Sequence, residues 1–173
     1  MIIEILIIFI LILLNAFFAF CEFAIVSSNK AVLKQMLKAG NKGAKNTLKL
    51  IEESGKFLST IQIGITLVGI LAGAFGGATI AEKIGIFLNK SSLIDPNGEA
   101  IAVFFVVVTI TYFSIVIGEL IPKQIALTHP EKYAVIISPA MLLIADKCYP
   151  VVKILEQSSR FFFTNNWYKK NFK

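Results

Sequence analysis

A glutamate and a proline, three residues apart in "VIGELIPKQIAL", close an apolar run of membrane-spanning length. Pro122 has no N–H, so it cannot bond the carbonyl four residues back, which belongs to Gly118, and its ring biases Ile121 away from helical geometry. The spacing predicts a helix break that frees the Gly118 carbonyl beside the Glu119 carboxylate. Both would present oxygen at a helix C-terminus, where the macrodipole is negative, and discontinuous transporter helices hold cations with such carbonyls. A plainer reading stands beside it: a helix that ends at the membrane interface with Glu119 in water.

Two further groups of polar residues lie in apolar sequence. Glu22 follows an uncharged stretch from Ile5. An ionisable group in a span marks a functional site by default, while a lysine-paired interfacial anchor is the other reading. Thr60, Gln62 and Thr66 offer neutral oxygens in "FLSTIQIGITLVGILAGAFGG", either to line a site or to bond between helices. In the same stretch Gly69 and Gly73 form GxxxG, extended by Gly76 and Gly77, a pattern that lets a second helix approach closely. No nucleophile–base pair and no metal-hydrolase spacing occurs, so an enzyme is not expected. One histidine cannot build a His-rich zinc site, and Cys21 and Cys148, both in apolar sequence, imply no disulfide framework.

The elements that must position these residues are membrane helices. The 173 residues are 56% hydrophobic and 16% charged, with a mean hydropathy of +0.76. A soluble domain of this size could not cover that much apolar surface, whereas a bilayer tolerates it. One span starts near Ile5. A second, Phe57 to Ala81, runs 25 residues without a formal charge, and a third, Ala100 to Gly118, runs 19. "MIIEILIIFI" lacks a basic leader, so no cleaved signal peptide is expected.

Charge sets the expected orientation. Residues 29–56 carry seven lysines and two glutamates, whereas the loop at 82–99, with its "DPNG" turn, is net negative. The positive-inside rule then places the N-terminus outside and residues 29–56 in the cytoplasm. Lys30, Lys34, Lys38 and Lys42 recur at helical spacing, which predicts a solvated basic face near anionic headgroups rather than a nucleic-acid site. Tyr133 to Ala145 gives only 13 uncharged residues around Pro139, short for a crossing, and the basic segment after it favours the cytoplasm. The expected fold is all-α and integral to the plasma membrane: three transmembrane helices plus a juxtamembrane belt helix, with the C-terminus inside.

Taken together, "FFAFCEFAIVSSNKAVLKQM", "NKGAKNTLKL", "FLSTIQIGITLVGILAGAFGG" and "VIGELIPKQIAL" resemble the transmembrane domain of the cyclin M/CorC family, over residues 1–173. The resemblance implies three transmembrane helices, a belt helix, a homodimer, and a cytosolic C-terminal extension with paired CBS domains beyond this chain. It also implies Mg2+ transport, mostly efflux, with Na+ as a coupling ion in some members. The ion site implied uses oxygens from spans one and two with the broken third span; Gly118, Glu119 and Pro122 match that motif, and Thr60 matches a span-two hydroxyl. Ala19 stands where many relatives carry Ser, and Ile65 and Gly69 where they carry Asn, which removes ligands from a dehydrated Mg2+ site. Those departures resemble the hemolysin-like bacterial branch, which includes a proposed diamine exporter. Three functions follow as expectations: Mg2+ efflux, with Glu119, Gly118, Thr60, Glu22, Gln62 and Thr66 as candidate ligands; export of organic diamines paired to Glu22 and Glu119; or a non-transporting anchor that dimerises a cytosolic sensor.

Overall fold

The computed structural model describes residues 2–89 and 97–166. Every regular element among them is helical: α1 (Ile2–Val26), α2 (Lys30–Lys38), α3 (Lys42–Glu52), α4 (Ser54–Phe75), α5 (Glu82–Leu88), α6 (Gly98–Ile115), α7 (Ile121–Thr128) and α8 (Pro130–Asn166). Two short π-helical segments, Gly76–Ala81 and Val116–Leu120, join α4 to α5 and α6 to α7. Ser54–Leu88 and Gly98–Thr128 are therefore continuous helices of 35 and 31 residues. In hydrocarbon every backbone group needs an internal partner, which favours such uninterrupted helices over a chain that unwinds.

By length and hydropathy this is a multi-pass membrane protein. Four helices among the described residues are long and apolar enough to cross a bilayer: Ile2–Val26, Ser54–Leu88, Gly98–Thr128 and Pro130–Ser159. The last is longer than its 13-residue uncharged core suggested, because the helix passes through Pro139 and Pro150. It also passes Asp146, whose carboxylate is held by Lys56 at the foot of α4. The "DPNG" turn falls largely outside the described residues.

Polar links tie the two ends of the bundle. At one end Lys83 of α5 donates to Glu4 of α1. At the other, the Asn29 N–H donates to Glu131 at 2.9 Å, joining the start of α2 to the start of α8. Lys56 lies 3.7 Å from Glu53 and 5.1 Å from the centroid of the Tyr149 ring. Helices α1 and α6–α7 thus run one way and α4–α5 the other.

The lysine-rich segment folds as a helical hairpin. The Asn29 side chain accepts from the Ala31 N–H at 2.8 Å, and that of Asn41 accepts from the N–H groups of Gly43 and Ala44. Each asparagine satisfies donors that a helix start leaves orphaned. Gly40 closes α2 at φ +87°, the left-handed turn for which glycine has no steric penalty. The lysines face outward while Leu33, Ala44, Thr47 and Leu50 are buried. Gly43 packs so tightly on α8 that a Cβ there would overlap Val135, and its carbonyl accepts from the Ser138 hydroxyl at 3.0 Å.

The core sits where α1, α3, α4, α7 and α8 converge, around Phe18, Cys21, Ile25, Leu50, Phe57, Ile61 and Met141. Gly64 lets the Phe18 ring lie against α4, since a Cβ there would approach that ring to 2.7 Å. Among the described residues Gly69, Gly73 and Gly77 have open space where a Cβ would stand, and Gly69 and Gly73 line a cleft of about 200 Å³ with Val107, Thr111 and Ser114 of α6.

Candidate functional site

The helix does not break at Pro122. Ile121 stays helical, at φ −64° and ψ −51°, and the chain runs on as α7 to Thr128. Instead Val116–Leu120 forms a π turn, in which the Ile121 N–H reaches the Val116 carbonyl five residues back. A π turn absorbs one extra residue, so the ring of Pro122 is accommodated without unwinding, and such turns recur at functional sites. Proline still leaves the Gly118 carbonyl without its helical donor. That carbonyl is not vacant: the Asn15 side-chain amide of α1 donates to it at 3.2 Å. The expectation of a broken helix with a free carbonyl is therefore corrected to a continuous helix with a carbonyl capped from α1.

Gly118 is buried, and a larger residue there would crowd α1. A Cβ there would lie 3.0 Å from Asn15 Nδ2 and 3.5 Å from the Ile12 carbonyl. Its absence lets α1 approach closely enough for the amide to reach. Beside this contact the Glu119 side chain is 52% exposed, and Lys123, one turn on, stands 4.0 Å from it. The Lys123 ammonium also sits over the Phe23 ring of α1, 3.9 Å from the centroid, which is cation–π geometry. An ammonium thus already rests between a carboxylate and an aromatic face. Glu22, next to Phe23, is half-buried and makes no ion pair among the described residues.

The span-two trio is divided. Thr60 is buried, at 1% exposure, and its hydroxyl donates to the Lys56 carbonyl at 2.8 Å. Gln62 and Thr66 are exposed on a different face of α4, where they line grooves together with Leu155 of α8. At 100° per residue Gln62 stands roughly 200° around the helix from Thr60, so one span cannot aim all three at one point. The structure joins Gly118, Glu119 and Pro122 into one locus with Asn15, Phe23 and Lys123, and leaves Gln62 and Thr66 apart from it. Asn15 was missed, yet it carried a signal: it is the lone amide in the run from Ile5 to Cys21. Among the described residues no three His, Cys, Asp or Glu side chains gather as a metal cluster. A cation here would meet one carboxylate, amide and carbonyl oxygens, and an aromatic face.

Comparison with known proteins agrees with this architecture. The profile described as the cyclin M transmembrane N-terminal domain matches residues 6–170. A UPF0053 protein of Synechocystis is 47% identical over 156 residues, covering 90% of this chain and 35% of that protein. A Haemophilus influenzae protein named polyamine export protein is 33% identical over 156 residues, 88% of this chain and 35% of its own length. The UPF0053 protein YhdP of Bacillus subtilis is 28% identical over 159 residues, 92% of this chain and 36% of its own length. The chain therefore spans about a third of the length of these relatives. Its match to the family profile over nearly its whole length makes it a member of the cyclin M transmembrane-domain family.

Proposed function

We propose that this chain is the membrane domain of a cation transporter working in the direction of efflux, with Glu119 supplying the charge that selects its cargo. The observation that supports this reading is the juxtaposition of Glu119 with the Asn15-capped Gly118 carbonyl on a π turn packed against α1. A carboxylate, a carbonyl and an amide from two helices concentrate oxygen where the bundle is otherwise apolar, and such groups in a membrane protein mark ion pathways.

Two cargoes fit. Mg2+, with Na+ as the coupling ion, is the cargo that the family suggests; with so few protein oxygens at this locus it would keep most of its water, as Mg2+ commonly does. An organic diamine is favoured by a separate observation. The Lys123 ammonium between Glu119 and Phe23 occupies the kind of seat that an alkylammonium would take. The relative named polyamine export protein points the same way.

In this proposal the protein works in the plasma membrane as a homodimer, with the N-terminus outside and the C-terminus in the cytoplasm. Helices α1, α4–α5 and α6–α7 cross, and α8 lies as a belt. A cytosolic CBS-containing region would follow residue 173 in the full-length protein. An anchor that only dimerises a cytosolic sensor is the reading this one must displace. Calorimetric titration of the purified protein with Mg2+ and with putrescine separates the three: saturable heat from one cation names the cargo class, and no heat from either supports the anchor.

A further inference from the structure

Away from Glu119, a groove of about 690 Å³ opens between α4 and α8. Ser59, Gln62, Glu156 and Ser159 line its polar part. Through the shared residues Gln62, Ile63 and Leu155 it meets a second groove of about 370 Å³, whose further walls are Thr66, Leu67 and Ile70. Glu53 and Lys56 mark the level at which α4 leaves water. From Ser54, Ser59 and Gln62 stand about 8 and 12 Å along the helix and Ile70 about 24 Å, at the α-helical rise. The polar part thus lies at headgroup-to-glycerol depth and the apolar part within hydrocarbon.

We propose that this paired groove is a selective site for a lipid with a primary-amine headgroup, phosphatidylethanolamine. The ammonium pairs with Glu156, the phosphate accepts from the Ser59 and Ser159 hydroxyls and the Gln62 amide, and one acyl chain follows Ile63, Leu67 and Ile70. Charge selects this occupant. Among the described residues one carboxylate faces the groove, no basic side chain lines it, and Glu156 has no ion pair. An anionic headgroup would meet net repulsion, and a soluble diamine would find a partner for only one of its two charges. A choline headgroup lacks the N–H donors that a carboxylate accepts from. The site is separate from Glu119, so its assignment holds whichever cation is carried.

The test uses the full chain in nanodiscs of equal parts phosphatidylethanolamine and phosphatidylcholine, with retained lipid counted by mass spectrometry after delipidation. Phosphatidylethanolamine should be enriched about threefold over the bulk ratio, the scale of one partly solvated ion pair. Glu156→Gln should return the ratio to bulk, and Leu155→Trp, which fills the groove, should lower total retained lipid. Both sites are solvent- or lipid-facing, and an unchanged melting profile shows that the variants fold. A bulk ratio in the parent, or enrichment that survives Glu156→Gln, overturns the assignment. So does release of the retained lipid by putrescine, which would make the ligand a soluble amine. Disulfide-linked dimers formed by Leu155→Cys in a Cys148→Ser background would show that a second copy covers the groove, and would overturn it too.

Discussion

Removing the Asn15 amide should weaken the packing of α1 on the third long helix by an amount that depends on Pro122. In the parent the buried Gly118 carbonyl has lost its helical donor to proline and takes the Asn15 amide at 3.2 Å instead. Asn15→Leu keeps the bulk and removes that bond, leaving a carbonyl unsatisfied in an apolar setting. Interhelical hydrogen bonds in membranes contribute about 0.6 kcal/mol on average and up to about 1.7. A stranded buried carbonyl adds desolvation cost, so the expected loss is about 1–2 kcal/mol. Pro122→Ala restores an N–H four residues after Gly118, which can satisfy the same carbonyl once the π turn relaxes to α. In that background Asn15→Leu should cost no more than about 0.5 kcal/mol, a coupling of roughly 1 kcal/mol between residues on different helices. The assay is reversible unfolding in mixed micelles for the four members of the cycle. Additive losses, with coupling under about 0.3 kcal/mol, would show that Asn15 does not stand in for the missing helical donor.

Gly43→Ala forces a Cβ into the Val135 backbone and should destabilise the α3–α8 contact by about 1–3 kcal/mol in the same unfolding assay. Gly73→Leu has room at its Cβ and an open cleft beside α6 for its side chain, so the monomer fold should be retained, while crosslinking of the proposed homodimer should fall sharply. A reporter fused after residue 173 should be active on the cytoplasmic side only, as a belt-lying α8 requires, and activity outside would make α8 a fourth crossing.

The sequence was most informative where physics acts through single residues. Helical periodicity and the lysine spacing marked the α2–α3 hairpin, and uncharged length marked three long helices. Glu119 and Pro122 mark the candidate locus in the sequence, but its helix geometry does not follow from reasoning about proline within α-helical bonding alone. A bulge to five-residue spacing is a tertiary accommodation, stabilised here by Asn15 from 103 residues away. The length of α8 escaped because counting stopped at Asp146, and no local rule shows that Lys56 receives that charge. Thr60, Gln62 and Thr66 could have been separated by their helical angles. What could not be read was the α4–α8 groove, since it needs both helices in place.

The central claim is that the Glu119 carboxylate binds the transported cation. Glu119→Gln keeps the shape of the side chain and removes its charge, and at a half-exposed position it should leave the helical signal and melting profile unchanged. Calorimetric titration of parent and variant, with Mg2+ and with putrescine, is the direct measurement. The account predicts saturable binding of one of these cations by the parent and a loss of affinity of about tenfold or more in Glu119→Gln, equivalent to at least 1.4 kcal/mol. Parent-like affinity in the folded variant would contradict it and return Glu119 to the role of a solvated helix-surface charge.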